Sequence, residues 1–188
     1  MKDFILIPVL CFLASLKVTL QGQVAKSGEK NFFSATAFNG IIFIAAAVLF
    51  SFWLASCSIQ TVFFGAAFGI LTVLFQICYF LAMSCGNVSL TVMIVNFSMI
   101  FPIIYSFFAF SEQIAPIKFA GIALVSVSLL LSLNKNENGC GDFRKWLLLS
   151  ICAAAANGGL AICQKIFGAT QYSSENKSFV SWAYLTAA

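Results

Sequence analysis

Six long apolar segments, each close to the length of a membrane crossing, constrain this chain more than any other feature. They cover residues 4–24, 38–55, 62–82, 88–110, 115–133 and 146–167, and a seventh runs from 179 to 188. About 20 apolar residues of helix cross the hydrocarbon core of a bilayer. Barrel strands would be about half as long and would alternate in polarity. The segments therefore predict transmembrane helices, whose backbone polar groups are paired within each helix.

The composition argues against a soluble domain. Hydrophobic residues make up 61% of the chain and charged residues 9%, with a mean hydropathy of +0.99, whereas soluble domains carry about 25% charged residues. The sequence predicts an all-α integral membrane protein, a multi-spanning helix bundle in the lipid bilayer of the cell (plasma) membrane. The net charge of +4 comes from scattered residues without a basic run, so we expect no nucleic-acid partner.

The residue types that perform catalysis are poorly represented. The chain contains no histidine, which removes the commonest general base and the commonest metal ligand. All six carboxylates lie in predicted loops or at the ends of apolar segments, and the seven cysteines form no C-x-x-C pair. We therefore expect no catalytic residue, no cofactor and no metal site, and an intramembrane enzyme is the least favoured class.

A polar connection at residues 134–145 divides the chain into two parts. The gaps between the second and fifth apolar segments are much shorter, and short connections join antiparallel neighbours. Residues 1–133 are thus predicted to form one five-helix repeat. Residues 146–188 would begin a second repeat, with the sixth span and an incomplete seventh.

A sequence similarity across this connection supports the repeat. Shifting the first segment by 141 positions aligns Cys11 with Cys152, Gln23 with Gln164 and Phe38 with Phe179. An odd number of spans in one repeat inverts the next, which is the architecture of many alternating-access carriers. The seventh segment would reach only about half-way across the bilayer core. We therefore expect a truncated sequence, or a homodimer if the chain is naturally this short.

Polar side chains inside the apolar segments are the candidate functional residues, because such groups are costly in a membrane. Lys17 is suited either to attracting an anionic or polar solute in a cavity or to reaching the membrane interface with its ammonium. Gln76, Asn96 and Asn157 are suited either to binding a solute or to joining helices, which is worth roughly 0.6 kcal/mol per contact. We predict that Lys17, Gln76, Asn96 and Asn157 contact a transported solute.

The stretch 82–133 contains a sequence pattern of three residues. It has a proline late in one span, a glutamate in the following turn and a glycine in the next span. These residues are Pro102, Glu112 and Gly121, with Ser128 as a further small residue and Asn87 at the start of the pattern. In this arrangement the stretch 82–133 resembles the EamA-type repeat of the drug/metabolite transporter (DMT) superfamily. The resemblance implies ten spans in two inverted repeats, of which this chain would hold the first and part of the second. It also implies that Pro102, Glu112 and Gly121 are mainly architectural.

The sequence thus predicts a carrier that moves a small organic solute or metabolite by alternating access. The alternative is a non-transporting membrane partner, or a truncated remnant of a carrier. The identity of the solute, the direction of transport and the coupling ion stay open. The membrane orientation also stays open, because the positive charges divide four to five between the two predicted sides, which gives no decision.

Overall fold

A computed structural model describes residues 2–27, 32–52, 57–110 and 142–188, together with five helical positions between 121 and 127. The helices in these ranges are α1 (Lys2–Ser27), α2 (Phe32–Ser51), α3 (Ile59–Cys85), α4 (Val88–Phe97), α5 (Ile100–Phe110), α6 (Phe143–Ala169), the 3₁₀ helix Ser173–Glu175 and α7 (Asn176–Ala187). All regular secondary structure in the described residues is helical. This confirms the predicted helical class.

Within the described residues, three stretches are long and apolar enough to cross a membrane. They are α3, the stretch Val88–Phe110 that contains α4 and α5, and α6. The chain is therefore a membrane-spanning helical protein. Most of the predicted fifth segment and residues 134–141 of the predicted connection lie outside the described residues, and α6 already begins at Phe143.

Side-chain caps define where the long helices begin. Ser58 Oγ accepts a hydrogen bond from the backbone N–H of Thr61 at the start of α3, and Asn87 Oδ1 accepts from the N–H groups of Ser89 and Leu90 at the start of α4. Asp142 has the same role at the start of α6. These residues satisfy N–H groups that have no partner inside the helix.

The span Val88–Phe110 is broken near its middle, between α4 and α5. Ser98 N–H donates to Val95 O at 3.0 Å, Met99 N–H to Asn96 O at 3.2 Å, and Phe101 N–H to Ser98 O at 3.1 Å. All three bonds have the tighter i→i−3 pattern of a 3₁₀ turn. Pro102 has no N–H to donate to Ser98 O, so the regular α-helical ladder is interrupted here.

Helix α3 is the centre of the bundle and packs most extensively on α6 and α7. Cys163 Sγ lies 3.9 Å from Phe64 O, and a Cβ on Gly159 would lie 3.7 Å from Leu71 Cδ1. Residue numbers rise on α3 as they fall on α6, so the two helices are antiparallel. Helix α7 runs parallel to α3, because Gly65 faces Phe179 and Gly69 faces Ala183.

The close contact of α3 with α7 depends on small residues. A Cβ on Gly69 would lie 2.5 Å from the carbonyl oxygen of Ala183, and one on Gly65 would lie 2.8 Å from the Cβ of Trp182. The small-xxx-small pattern Gly65–Gly69 therefore lets two helix backbones approach closely, as it does in many membrane proteins.

Helix α1 packs against the C-terminal half of α3 and runs in the same direction. Gln21 Nε2 donates to Gln76 Oε1 at 3.1 Å. One turn later on both helices, Ala25 joins a buried cluster with Tyr79 and Phe80. This cluster also includes residues of α4 and α6, so it holds four helices together.

Candidate functional site

Three hydroxyl side chains lie about two helical turns apart on the face of α4 and α5 that meets α6. Each hydroxyl oxygen accepts a hydrogen bond from α6. The pairs are Thr91 Oγ1 with Trp146 Nε1 at 2.9 Å, Ser98 Oγ with Asn157 Nδ2 at 2.7 Å, and Ser106 Oγ with the Lys165 ammonium. From one pair to the next, the residue numbers rise together on α4–α5 and on α6. Helix α6 therefore runs parallel to α4 and α5. We call this row of pairs the hydroxyl seam.

The middle pair of the hydroxyl seam lies at the helix break. Ser98 is 2% exposed and is the first residue after α4, while Asn157 lies close to the centre of α6. Both residues are therefore close to the middle of an apolar span. A broken helix with a polar partner at this depth is the arrangement that many carriers use to bind solutes.

A cavity of about 590 Å³ adjoins this pair, between α4, α5, α6 and the helical position Ser126. Four of its lining residues are aromatic, namely Phe97, Phe101, Phe143 and Trp146. Two are hydroxyls, Ser98 and Ser126, and the other described lining residues are isoleucine, leucine and alanine. No charged side chain is among the described residues that line the cavity.

The Trp146 end of the hydroxyl seam is closely packed. Trp146 is 2% exposed, and a Cβ on Gly86 would lie 2.6 Å from its Cγ. Thr91 Oγ1 accepts from the indole and itself donates to Asn87 O at 2.9 Å. Gly86 therefore leaves room for the indole of α6, and Thr91 accepts the hydrogen bond that its N–H donates.

The opposite end of the seam contains Lys165. Ser106 Oγ accepts from the lysine ammonium and donates to Pro102 O at 2.7 Å. The Lys165 Nζ also lies 5.6 Å from the centroid of the Phe110 ring, within the range of a cation–π interaction. These contacts join the ends of α5 and α6.

The structure places the four predicted solute contacts in different settings. Asn157 pairs with Ser98 beside the cavity, whereas buried Gln76 accepts from Gln21 and joins α3 to α1. Lys17 on α1 and Asn96 on α4 are exposed. No hydrogen bond among the described residues joins any two of the four predicted residues.

Sequence reasoning did not identify Thr91, Ser98 and Ser106 as a set. Their spacing of about two turns was the available signal, because it places them on one helix face. Serine and threonine are common in membrane helices, where their hydroxyls usually bond to their own backbone. The spacing therefore becomes informative only when the donors on α6 are known.

Comparison of this chain with protein-family models, with curated proteins and with solved structures gave no match. Among the described residues, no group of three histidine, cysteine or carboxylate side chains is placed to hold a metal ion. The fold and the spans define a helical membrane protein, and the candidate site is a mostly apolar cavity beside a broken span.

Proposed function

We propose that this protein is a carrier that moves a small organic solute across a membrane by alternating access. The observation that carries this proposal is the break at Ser98 and Met99, in the middle of an apolar span and beside a cavity of about 590 Å³. Irregular backbone at membrane depth is tolerated where protein or a cavity surrounds it, and carriers use such breaks to bind their solutes.

The helix directions support an inverted repeat of the EamA type. Helix α1 is parallel to α3 and α6 is antiparallel to it, so α1 and α6 point in opposite directions. When α1 is shifted by 141 positions, its ends fall at positions 143 and 168. These positions nearly coincide with the ends of α6, Phe143 and Ala169. We therefore propose membership of the drug/metabolite transporter superfamily, with α6 as the inverted counterpart of α1.

In the proposed mechanism, the unit containing α6 and α7 rocks against the unit containing α1 to α5. The hydroxyl seam lies at the boundary between the two units and holds them in the arrangement seen here. A solute that binds at Ser98, beside its hydrogen bond with Asn157, would lie at the contact between the two units. Solute binding at the break would thereby change the free-energy difference between the two arrangements.

Counterflow in liposomes tests the proposal. The purified full chain is reconstituted, the vesicles are loaded with a mixture of neutral and charged metabolites, and exchange against labelled external solute is measured. We expect exchange of at least one solute, and a decrease of at least tenfold with Asn157→Leu. The matched control is Gln164→Leu, an exposed amide on the same helix.

Equal expression and a single peak in size-exclusion chromatography establish that each variant is folded. A folded protein that exchanges no solute would contradict the carrier function and favour the non-transporting membrane partner. Unchanged exchange by the Asn157→Leu protein would show that the solute does not bind at the helix break. Lys17→Leu, Gln76→Leu and Asn96→Leu, assayed in parallel, test the other three predicted solute contacts.

A further inference from the structure

The chemistry of the cavity beside the helix break defines a class of ligand. We propose that it binds a neutral, flat aromatic molecule that carries one hydrogen-bond acceptor, such as a ring nitrogen or a carbonyl. That this ligand is also transported rests on the proposed carrier function, whereas its binding does not. The cavity volume of about 590 Å³ lies within the range of small-molecule sites, roughly 300–1,000 Å³.

The aromatic lining favours a flat ring over an aliphatic chain. Phe97 and Phe101 approach the cavity from the side of α4 and α5, and Phe143 and Trp146 from α6. The rings of Phe143 and Trp146 lie 5.5 Å apart and are inclined by 46°. A planar ligand between these two sides makes both stacked and edge contacts, which aromatic pairs prefer beyond simple burial.

The lack of charge along the described lining favours a neutral ligand. The lysine of the hydroxyl seam, Lys165, contacts Ser106 and Phe110 at the far end of α5. The basic residues Arg144 and Lys145 are exposed at the start of α6. An ionised ligand would lose its hydration in this cavity without gaining an opposite charge, which opposes its binding.

Ser98 provides the polar contact that selects an acceptor. Its oxygen already accepts from Asn157, and Ser98 is 2% exposed and is among the residues that line the cavity. Its hydroxyl hydrogen has no acceptor among the described residues. An acceptor on the ligand would satisfy this donor, and a buried donor without a partner is costly.

Three probes of nearly equal shape separate these requirements. Quinoline has the ring and the acceptor, naphthalene has the ring alone, and N-methylquinolinium has the ring and a fixed charge. Binding to the purified full chain at pH 7.5 is measured by equilibrium dialysis. We expect quinoline to bind about five- to tenfold more tightly than naphthalene, as one hydrogen bond implies, and N-methylquinolinium to bind more weakly than both.

Two variants assign the binding to this cavity. Ser98→Ala should reduce quinoline affinity to that of naphthalene and leave naphthalene unchanged. Ala155→Phe fills the cavity and should abolish binding of both, whereas Leu148→Phe is the matched control, because Leu148 is exposed on α6 and does not line the cavity. Equal affinity of quinoline for Ala155→Phe and for the natural protein would overturn the proposal.

The remaining outcomes separate the ligand class from the carrier function. Saturable binding of decanol in preference to quinoline would overturn the proposal and assign the cavity to a lipid chain. Quinoline binding without counterflow of any solute would support the site and contradict the carrier function. Counterflow of other solutes without quinoline binding would overturn the ligand class and leave the carrier function in place.

Discussion

The amide side chains of the described helices differ in how well their hydrogen-bonding groups are satisfied. Gln21 pairs with Gln76, and Asn157 pairs with Ser98. Asn39 on α2 is 5% exposed, and its Nδ2 has no hydrogen-bond partner among the described residues. A buried donor without a partner destabilises the folded state. Paired and unpaired amides should therefore respond differently to replacement by an apolar residue of similar size.

We expect Asn39→Leu to raise the free energy of unfolding by about 1 kcal/mol, because it removes an unpaired buried donor. Gln76→Leu should lower it by about 0.6 kcal/mol or more, because it leaves Gln21 without its partner. Thermal unfolding in one detergent measures both variants. Destabilisation by Asn39→Leu equal to that of Gln76→Leu would show that the Asn39 amide has a partner in the folded protein.

A second residue-scale prediction concerns Gly86, where a side chain would overlap the Trp146 indole. Gly86→Ala should destabilise the protein by about 1–3 kcal/mol, the usual cost of overpacking, and shift the tryptophan emission to longer wavelength. Gly168→Ala is the matched control, because a Cβ there meets nothing within 4 Å and alanine is the better helix former. Equal stability of the two variants would contradict the close packing of Trp146.

At the scale of elements, the 3₁₀ helix after α6 is joined to the start of α3 by one carboxylate. Glu175 Oε2 accepts from Thr61 Oγ1 at 2.5 Å, from Ser58 N–H at 3.0 Å and from Ser58 Oγ at 3.2 Å. The hydrogen bond from Thr61, followed by that from the Ser58 backbone, holds the pKa of Glu175 below its ordinary value. The carboxylate also interacts favourably with the positive end of the α3 dipole.

This contact predicts a loss of stability in acid. Because the pKa of Glu175 is lowered on folding, its stabilisation is complete above the ordinary glutamate pKa and disappears as the pH falls through the lowered value. Glu175→Gln should reduce the melting temperature at neutral pH and flatten its acid dependence. Thr61→Val removes the strongest donor but keeps the carboxylate, so the acid transition should move to higher pH. Identical pH profiles for all three proteins would refute the contact.

The sequence allowed the apolar elements to be predicted better than the contacts between them. The spans of α3 and α6 follow from the apolar segments alone. Glu175 had no local signal, because its partners Ser58 and Thr61 are more than a hundred residues earlier in the chain. Asn157 was identified from its depth, but Ser98 was not, since a hydroxyl in a membrane helix usually bonds to its own backbone.

At the scale of the whole molecule, the direction of the helices is the property on which the proposed carrier function can be tested. Helices α3 and α7 run one way, and α4, α5 and α6 run the other way. Helix α3 of the first predicted unit contacts both α6 and α7 of the second, in addition to the contacts along the hydroxyl seam. If the two units rock against each other, distances across the seam change during transport and distances within one unit do not.

Paired cysteines test this motion, because the described helices bring two pairs of Cβ positions close together, one across the two units and one within a single unit. A Cβ on Gly158 of α6 would lie 3.0 Å from the Cβ of Phe101 across the two units, and a Cβ on Gly22 would lie 3.9 Å from the Cβ of Val88 within one unit. Disulfides join Cβ atoms about 3.5–4.5 Å apart. The Gly22–Val88 pair therefore fits directly, and the Phe101–Gly158 pair fits once α5 and α6 separate by about 0.5 Å. In a background without other cysteines, both pairs should cross-link on oxidation.

We expect oxidation of the Phe101→Cys/Gly158→Cys protein to stop counterflow and reduction to restore it, because the cross-link prevents the units from moving apart. The Gly22→Cys/Val88→Cys protein should transport equally in both states. Each protein in its reduced form is its own reference, which separates the effect of the cross-link from that of replacing Phe101 at the cavity. Full counterflow by the cross-linked Phe101→Cys/Gly158→Cys protein would show that α5 and α6 move as one body, and the rocking unit would then have to be sought among the other helices.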